Sequence, residues 1–341
     1  MINIPNPQTI YDLPKLNTIM KIEPLPDFVK MGLLHNEHVT HGKYSVTELL
    51  DHPRCTALRK IHPDLKLDDP TKMAHAMNGT AVHAYWEKLL TQKCNPACIQ
   101  CEVAVFFKIN DIDISGSIDI IHRKSIDLLI NETTIIDIKN WTSYKWMQKD
   151  MADVIDQLNS YYYGYYLGKS PYNHQVKLGL LVFIRDWHRG ASHRKNYPPS
   201  SLMYLEFAPK PMEKIKENIT KRVKLFEDYK NVNIDDYPDA DDKATWSRLE
   251  AYRVYKVGGN NAIRGGVFRP EDYESNVECL AATEEKMNAT QLANPKEEYY
   301  FKECNTERKR CAEYCPVADM CNTYQNSLKE SYEAPQKEVP V

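Results

Sequence analysis

The chain has 341 residues, 42% hydrophobic and 27% charged, with 44 Lys+Arg against 47 Asp+Glu and a net charge of −3. That length is a prior for about two domains' worth of chain and supplies ample core. The near-neutral balance excludes nucleic-acid binding through overall basic charge, although not through a local basic groove. Only 12 residues are Gly, which excludes collagen-like and glycine-linker architectures. No run approaches the ~18 consecutive apolar residues of a membrane span. The opening MINIPNPQTIYDLPK lacks the basic start and apolar core of a signal peptide. No membrane association and a cytoplasmic location are therefore expected. Nine cysteines in such a chain read as reduced thiols, a metal site or an iron–sulfur cluster rather than as a disulfide scaffold.

Residues 1–43 bear prolines and little periodicity, and are expected to form an irregular arm. Tyr44 to Ile61 reads as a short helix capped by Ser45 or Thr47 and interrupted by Pro53. A stronger helix is expected from Met73 to Gln92, with Val82, Trp86, Leu89 and Leu90 on one face and His83 and Glu87 one turn apart beside it. A strand-rich run follows: Val103 to Ile109, Ile112 to Ile120, and Ile135 to Lys139, with turns at Asn110-Asp111 and Asn131-Glu132. Asp150 to Gly168 reads as a helix, Lys177 to Trp187 as a buried strand, and Met203 to Phe207 as another. Met212 to Tyr229 is a charged amphipathic helix with Ile215, Ile219, Val223 and Phe226 at helical spacing. An acidic loop (Asp235, Asp236, Asp239, Asp241, Asp242) then separates residues 243–300, expected to be helix or coil, from a cysteine-dense stretch, Cys304 to Cys321. The chain after 327 is polar and expected to fray.

The order helix, strand, strand, strand, helix, strand carries two acids on adjacent strands: Asp119 in Gly116-Ser117-Ile118-Asp119, and Asp137 in Asp137-Ile138-Lys139. Residues two apart on a strand face the same side, so Asp137 and Lys139 aim together. Carboxylates hold hard divalent cations, Mg²⁺ or Mn²⁺. Such an ion polarises a phosphate and lowers the pKa of bound water. An ammonium beside it orients that water and offsets developing charge. A lone D-x-K on a strand is ordinarily a solvated pair, and a lone histidine on a helix ordinarily a packing residue. The argument rests on their co-occurrence.

The series Gly79-Thr80-Ala81-Val82-His83, Glu102, Gly116-x-x-Asp119, Asp137-x-Lys139 and Gln157-x-x-x-Tyr161 resembles the RecB-type branch of the PD-(D/E)XK nucleases over residues 45–230. The chain departs from many members in having Asp137 where they have Glu. The resemblance implies an α/β fold with the restriction-endonuclease-like αβββαβ core at 44–230, a helical, cysteine-rich elaboration at 231–326, and a flexible tail at 327–341. It implies His83, Asp119, Asp137 and the Ile138 carbonyl as ligands of Mg²⁺ or Mn²⁺, and Lys139 as the catalytic lysine. Gln157 and Tyr161 would support the site from the helix behind it, and Glu102 matches a less constant acidic position. Most of the tyrosines at 161–166 read as packing.

Cys311-x-x-x-Cys315-x-x-x-x-x-Cys321 is compact, Cys304 lies upstream, and Cys55 stands alone in His52-Pro53-Arg54-Cys55. Spacing alone leaves Zn²⁺ and an iron–sulfur cluster both open. The resemblance extends to nucleases with an iron–sulfur staple: CRISPR-associated RecB-like exonucleases, the AddB subunit and phage-type exonucleases. It implies a [4Fe–4S] cluster on Cys55, Cys311, Cys315 and Cys321. The three-residue gap between Cys311 and Cys315 departs from the commoner two and leaves Cys304 as a substitute for Cys311. Cys94, Cys98 and Cys101 read as loop thiols or an incomplete zinc knuckle, and Cys279 as a lone buried residue.

The activity implied is a metal-dependent DNA exonuclease acting on single-stranded or resected ends in recombination, repair or end processing. Its alternatives are an endonuclease of the same superfamily and a non-cleaving DNA-binding subunit that keeps the cluster. Arg59, Arg185 and Arg189 are candidate phosphate contacts. No G-x-x-x-x-G-K-[ST] is present, so any unwinding would come from a partner, a helicase or recombination protein.

Overall fold

In a computed structural model, residue 29 and residues 41–332 are described, apart from 68, 126–130, 168–173, 195, 248, 274–275 and 306–307. The arm expected over 1–43 therefore lies outside the described residues up to 40, save residue 29. Of the expected tail, 327–332 continue a helix and the rest lies outside.

Strand β1 (Tyr44–Ser45) passes directly into α1 (Val46–Leu50). Ser45 accepts the Glu48 N–H at 3.1 Å while the Glu48 carboxylate accepts the Ser45 N–H at 2.6 Å, a reciprocal cap. Pro53 does not interrupt one helix but opens a second, α2 (Pro53–Ile61), at a position where a missing N–H costs nothing. Helix α3 (Ala74–Lys93) leads to β2 (Ile99–Ile109), β3 (Ile112–Ser125) and β4 (Asn131–Trp141). Asn110 and Asp111, at φ 49° and 63°, make the left-handed turn between the first two. Asn131 and Glu132, expected as a turn, instead start β4, where Lys177 holds Glu132 at 2.8 Å. Next come α4 (Ser143–Met147), α5 (Ala152–Tyr166), β5 (His174–Ile184), β6 (Leu202–Phe207) and α6 (Met212–Tyr229).

The six strands form one mixed sheet, making the fold α/β. β3 pairs antiparallel with β2 and β4, β4 parallel with β5, and β5 antiparallel with β6; β1 adds parallel to β3. The parallel step needs a crossover, which α5 supplies. One face of the sheet carries the core. Ile114, Ile118, Ile121, Ile135, Leu178, Leu180 and Val182 pack there with Leu49 of α1, Leu158 of α5 and Ile215, Ile219 and Val223 of α6. α3 lies on the other face, with Trp86 against Phe183, and none of its residues is fully buried.

Residues 231–326, expected to be helical, also contain a second sheet. After α7 (Asp242–Thr245), β7 (Leu249–Lys256) pairs antiparallel with β8 (Ala262–Phe268) and with β9 (Tyr299–Asn305), and α8 (Asn276–Ala293) covers one side of it. Tyr252 and Val254 bury against that helix, where Cys279 and Thr283 are wholly buried. Arg253 stands between those two residues and Lys256 ends the strand, which masks the strand in a hydropathy reading. Helices α9 (Lys309–Tyr314) and α10 (Asn322–Tyr332) return to the start of the fold. Buried Arg54 binds the carbonyls of Asp235 and Pro238, each at 3.2 Å, and of Tyr237. Among the described residues no helix is long and apolar enough to cross a membrane.

Leu158 is fully buried on the core side of α5. Leu158→Ala is expected to cost about 2–5 kcal/mol, read as a lowered midpoint in urea unfolding.

Candidate functional site

The site begins where β3 and β4 part. Their pairing runs from Ser125↔Asn131 to Ile120↔Ile136 and then stops, while further along β3 its edge is taken by β1 at Ile114 and Ser115. One residue beyond the last pair stand Asp119 and Asp137. On the other side of β3, the pairs Cys101↔Ile120 and Val103↔Ile118 bracket Glu102 and Asp119, and Glu102 has the left-handed φ of 48°. Ile118 and Ile121 are three residues apart, yet both reach the same core. A period of two forbids that in a regular strand, so the chain slips half a step at Asp119–Ile120. The slip takes Asp119 out of the strict alternation, beside the gap. A non-glycine left-handed residue on a strand stores about 1–3 kcal/mol of strain, and here it sits next to the acids.

Asp119 closes the gap by its side chain: its Oδ2 accepts the Ile138 N–H at 2.6 Å. The N–H and C=O of a strand residue leave on the same side, so the Ile138 carbonyl faces the same opening. Asp119 Oδ1 lies 3.5 Å from Nδ1 of His83, which reaches in from α3. Glu102 accepts a hydrogen bond from Ser117 at 2.8 Å. His83, Glu102 and Asp119 each bring one ligand atom to within 4.8 Å of the others. Sequence reasoning ranked Glu102 below the rest; its positive φ is invisible in a sequence.

From the core side come Asp137, Lys139 and α5. Lys139 Nζ lies 2.8 Å from Asp137 Oδ2, donates to Asp137 Oδ1 at 3.1 Å and donates to Gln157 Oε1 at 3.1 Å. Gln157 Nε2 donates to the Tyr161 hydroxyl at 2.8 Å. Asp137 is 2% exposed, and its Oδ2 has no hydrogen bond of good geometry. The ammonium lies near Oδ2 while its proton points to Oδ1. Burial pushes the Asp137 carboxyl up to about 6, against the attraction of Lys139 and with the repulsion of Asp119. The hydrogen bond to Asp119 raises the His83 imidazole, and burial raises Glu102. Three acids crowded with one histidine and an under-bonded carboxylate oxygen are a donor set suited to a hard divalent cation.

The structure thus brings together His83, Glu102, Asp119, Asp137, Ile138, Lys139, Gln157 and Tyr161. Tyr162, Tyr163 and Tyr166 are buried packing residues, and the Tyr165 hydroxyl accepts from Arg123 at 2.6 Å. Arg185 and Arg189 are exposed. Arg59 is not a free cation for phosphate, because it is paired with Asp51.

The cysteines fall into separate places. Cys311 and Cys321 are buried and Cys55 and Cys315 half-buried, and Cys315 and Cys321 pack with Leu58, Val317 and Tyr324 in a small apolar cluster. Burial pushes the Cys55 thiol up to about 12 and Cys311 up to about 11, and raises Cys315. Cys315 adds to the rise at Cys55, and Cys315 and Cys321 add to that at Cys311. Cys304 sits instead on β9, opposite Ala251, leaving Cys311 as the member of this pocket. Cys94 ends α3, Cys98 lies in the loop after it and Cys101 is on β2. Among the described residues neither these three nor Cys55, Cys311, Cys315 and Cys321 bring ligand atoms within 4.8 Å of one another as a group.

No family model and no curated protein matches the chain. Among solved structures, that of SSO0001 is similar at a TM-score of 0.42 and 19% sequence identity, over 60% of this chain and 87% of that one.

Gly116 leaves room for the Tyr161 ring: a Cβ there would stand 2.7 Å from Tyr161 Cε1. Gly116→Ala is expected to cost about 1–3 kcal/mol by overpacking, measured by thermal melting. It should also displace the Gln157–Tyr161 hydrogen bond, seen as altered Tyr161 ring resonances.

Proposed function

We propose that this chain is a divalent-metal-dependent deoxyribonuclease of the RecB-type PD-(D/E)XK class, acting as an exonuclease on single-stranded or resected DNA ends. The observation that carries the reading is the convergence of Asp119, Asp137 and Lys139, with His83 and Glu102, on one break in the sheet. His83, Glu102, Asp119, Asp137 and the Ile138 carbonyl are the groups that would hold Mg²⁺ or Mn²⁺. Bound there, the ion would polarise a phosphate oxygen and lower the pKa of a water.

The chain's own residues then have distinct tasks. Asp119 ties β3 to β4 through the Ile138 N–H and so fixes the width of the opening. Lys139 is steered by two acceptors, Asp137 and Gln157, which leaves one ammonium proton for the attacking water or a phosphate oxygen. Tyr161 fixes the Gln157 amide so that its oxygen, not its nitrogen, faces the lysine. The amide thereby orients the ammonium without neutralising it. In this reading Cys55, Cys311, Cys315 and Cys321 hold a [4Fe–4S] cluster, a donor set of four thiols that suits it. Such a group would join residue 55 to residue 321 and remove much of the unfolded chain's freedom.

The test is degradation of end-labelled single-stranded DNA in Mg²⁺ or Mn²⁺. Asp119→Ala and Lys139→Ala should each slow it by roughly a hundredfold or more, while closed circular single strands stay intact. Cutting of circles would identify an endonuclease instead. Binding without hydrolysis by the wild type would identify a non-cleaving subunit, and an unimpaired Asp119→Ala would remove the site assignment.

A further inference from the structure

Two features lie beside the opening, and neither belongs to the metal ligands. The first is aromatic. Trp86 stands one turn after His83 on α3, and helix positions three apart share a face at about 5–6 Å between Cβ atoms. Its ring meets Phe183 of β5 at 6.2 Å between centroids, and Tyr85 meets it edge-on at 5.9 Å. Trp86 and Phe183 are half-buried, but Tyr85 is 62% exposed. A tryptophan against a phenylalanine is ordinary packing. A tyrosine left in water at the edge of that pair buries too little to be explained by packing.

The second feature is basic. Arg185 is the first residue past β5, two positions or roughly 7 Å of strand beyond Phe183. Its N–H donates to the carbonyl of Trp141, two residues after Lys139, at 3.0 Å. From there the loop reads Arg-Asp-Trp-His-Arg-Gly-Ala-Ser-His-Arg, three arginines and one acid up to Arg194. The acid is engaged elsewhere: Asp186 accepts the Ser143 N–H and, at 3.0 Å, its hydroxyl. Arg185, Arg189 and Arg194 are exposed, and among the described residues none of them is paired with a carboxylate. The loop that carries them is held in place. The Trp187 indole donates to the Pro198 carbonyl at 2.9 Å, and the Tyr197 hydroxyl accepts the His188 N–H at 2.9 Å. A segment already fixed loses little further freedom on binding.

A single strand of nucleic acid uses both features, a π-face for its bases and cations for its phosphates. A duplex keeps its bases stacked on one another and gives an aromatic side chain nothing to stack on except an end. We propose that Tyr85 and Trp86, backed by Phe183, and Arg185, Arg189 and Arg194 form a track for single-stranded DNA on the α3 side of the opening. Tyr85 stacks on a base, and the arginines hold phosphates neighbouring the one that is cut. The order His83, Trp86, Phe183, Arg185 leads outward from the metal ligands, so the track begins at the site and ends on the loop. The inference rests on the nuclease reading given above for the place of the scissile phosphate, whereas binding along the track needs no hydrolysis.

The experiment is fluorescence anisotropy of labelled single-stranded DNA with the full-length protein, over a salt series and with divalent ions withheld so that no strand is cut. Tyr85→Ala should weaken binding roughly fivefold to a hundredfold and leave the slope of log affinity against log salt unchanged. Arg189→Gln and Arg194→Gln should each make that slope shallower by about 0.7. A blunt duplex of the same sequence should bind Tyr85→Ala as it binds wild type. All three side chains are exposed, and an unchanged melting midpoint checks that each variant keeps the fold. Wild-type affinity and salt slope in all three variants would overturn this inference and leave the nuclease reading standing. An equal loss on the blunt duplex for Tyr85→Ala would also overturn it, because the tyrosine would then not be stacking on unpaired bases. The expected losses together with a wild type that hydrolyses nothing in Mg²⁺ or Mn²⁺ would support the track and overturn the nuclease reading.

Discussion

A sheet normally satisfies its backbone groups strand against strand. Between β3 and β4 that arrangement fails after Ile120↔Ile136, and the Ile138 N–H is served by a carboxylate instead. The rest of the site depends on this substitution. Asp119 can bridge the gap because it is short and displaced from the regular alternation between Ile118 and Ile121. An opening in the sheet can be approached from both faces, which a groove on one face cannot. His83 enters from the thinly packed helix on one side, and Gln157 from the densely packed helix on the other.

The two sides differ in rigidity for a reason visible in their packing. α5 buries Leu158, Tyr161, Tyr162 and Tyr163 in the core, so Gln157 and Tyr161 have little freedom. α3 buries nothing fully. Groups that orient Lys139 therefore sit on the fixed side, while the imidazole comes from the side with fewer apolar contacts, where local opening costs less. Asp137 illustrates the cost of the arrangement: a carboxylate at 2% exposure with an under-bonded oxygen persists beside an ammonium that offsets part of its burial.

Much of this was legible from residue order. Alternating β-branched runs gave the strands, and Met212 to Tyr229 matched its helix because four apolar residues repeat at helical spacing on an otherwise charged segment. Asp137 and Lys139 shared a side because strands have a period of two. Three things were not legible. Pro53 starts a helix rather than interrupting one, since a proline reads the same at either place until the cap before it is seen. The second sheet hid behind the charges of β7. Glu102 and Asp119 stand where the in–out alternation breaks without a change of register, which the residue order does not show.

The same distinction separates the two ways in which the chain joins its beginning to its end. Arg54 is buried among carbonyls of 235–238, and Arg310 grips Asp51 across 259 positions of sequence. Both are long-range pairings of a guanidinium with oxygen, and neither leaves a motif. The cysteines do leave one, because Cys311, Cys315 and Cys321 are close in sequence, whereas a guanidinium and the oxygens it binds lie hundreds of residues apart.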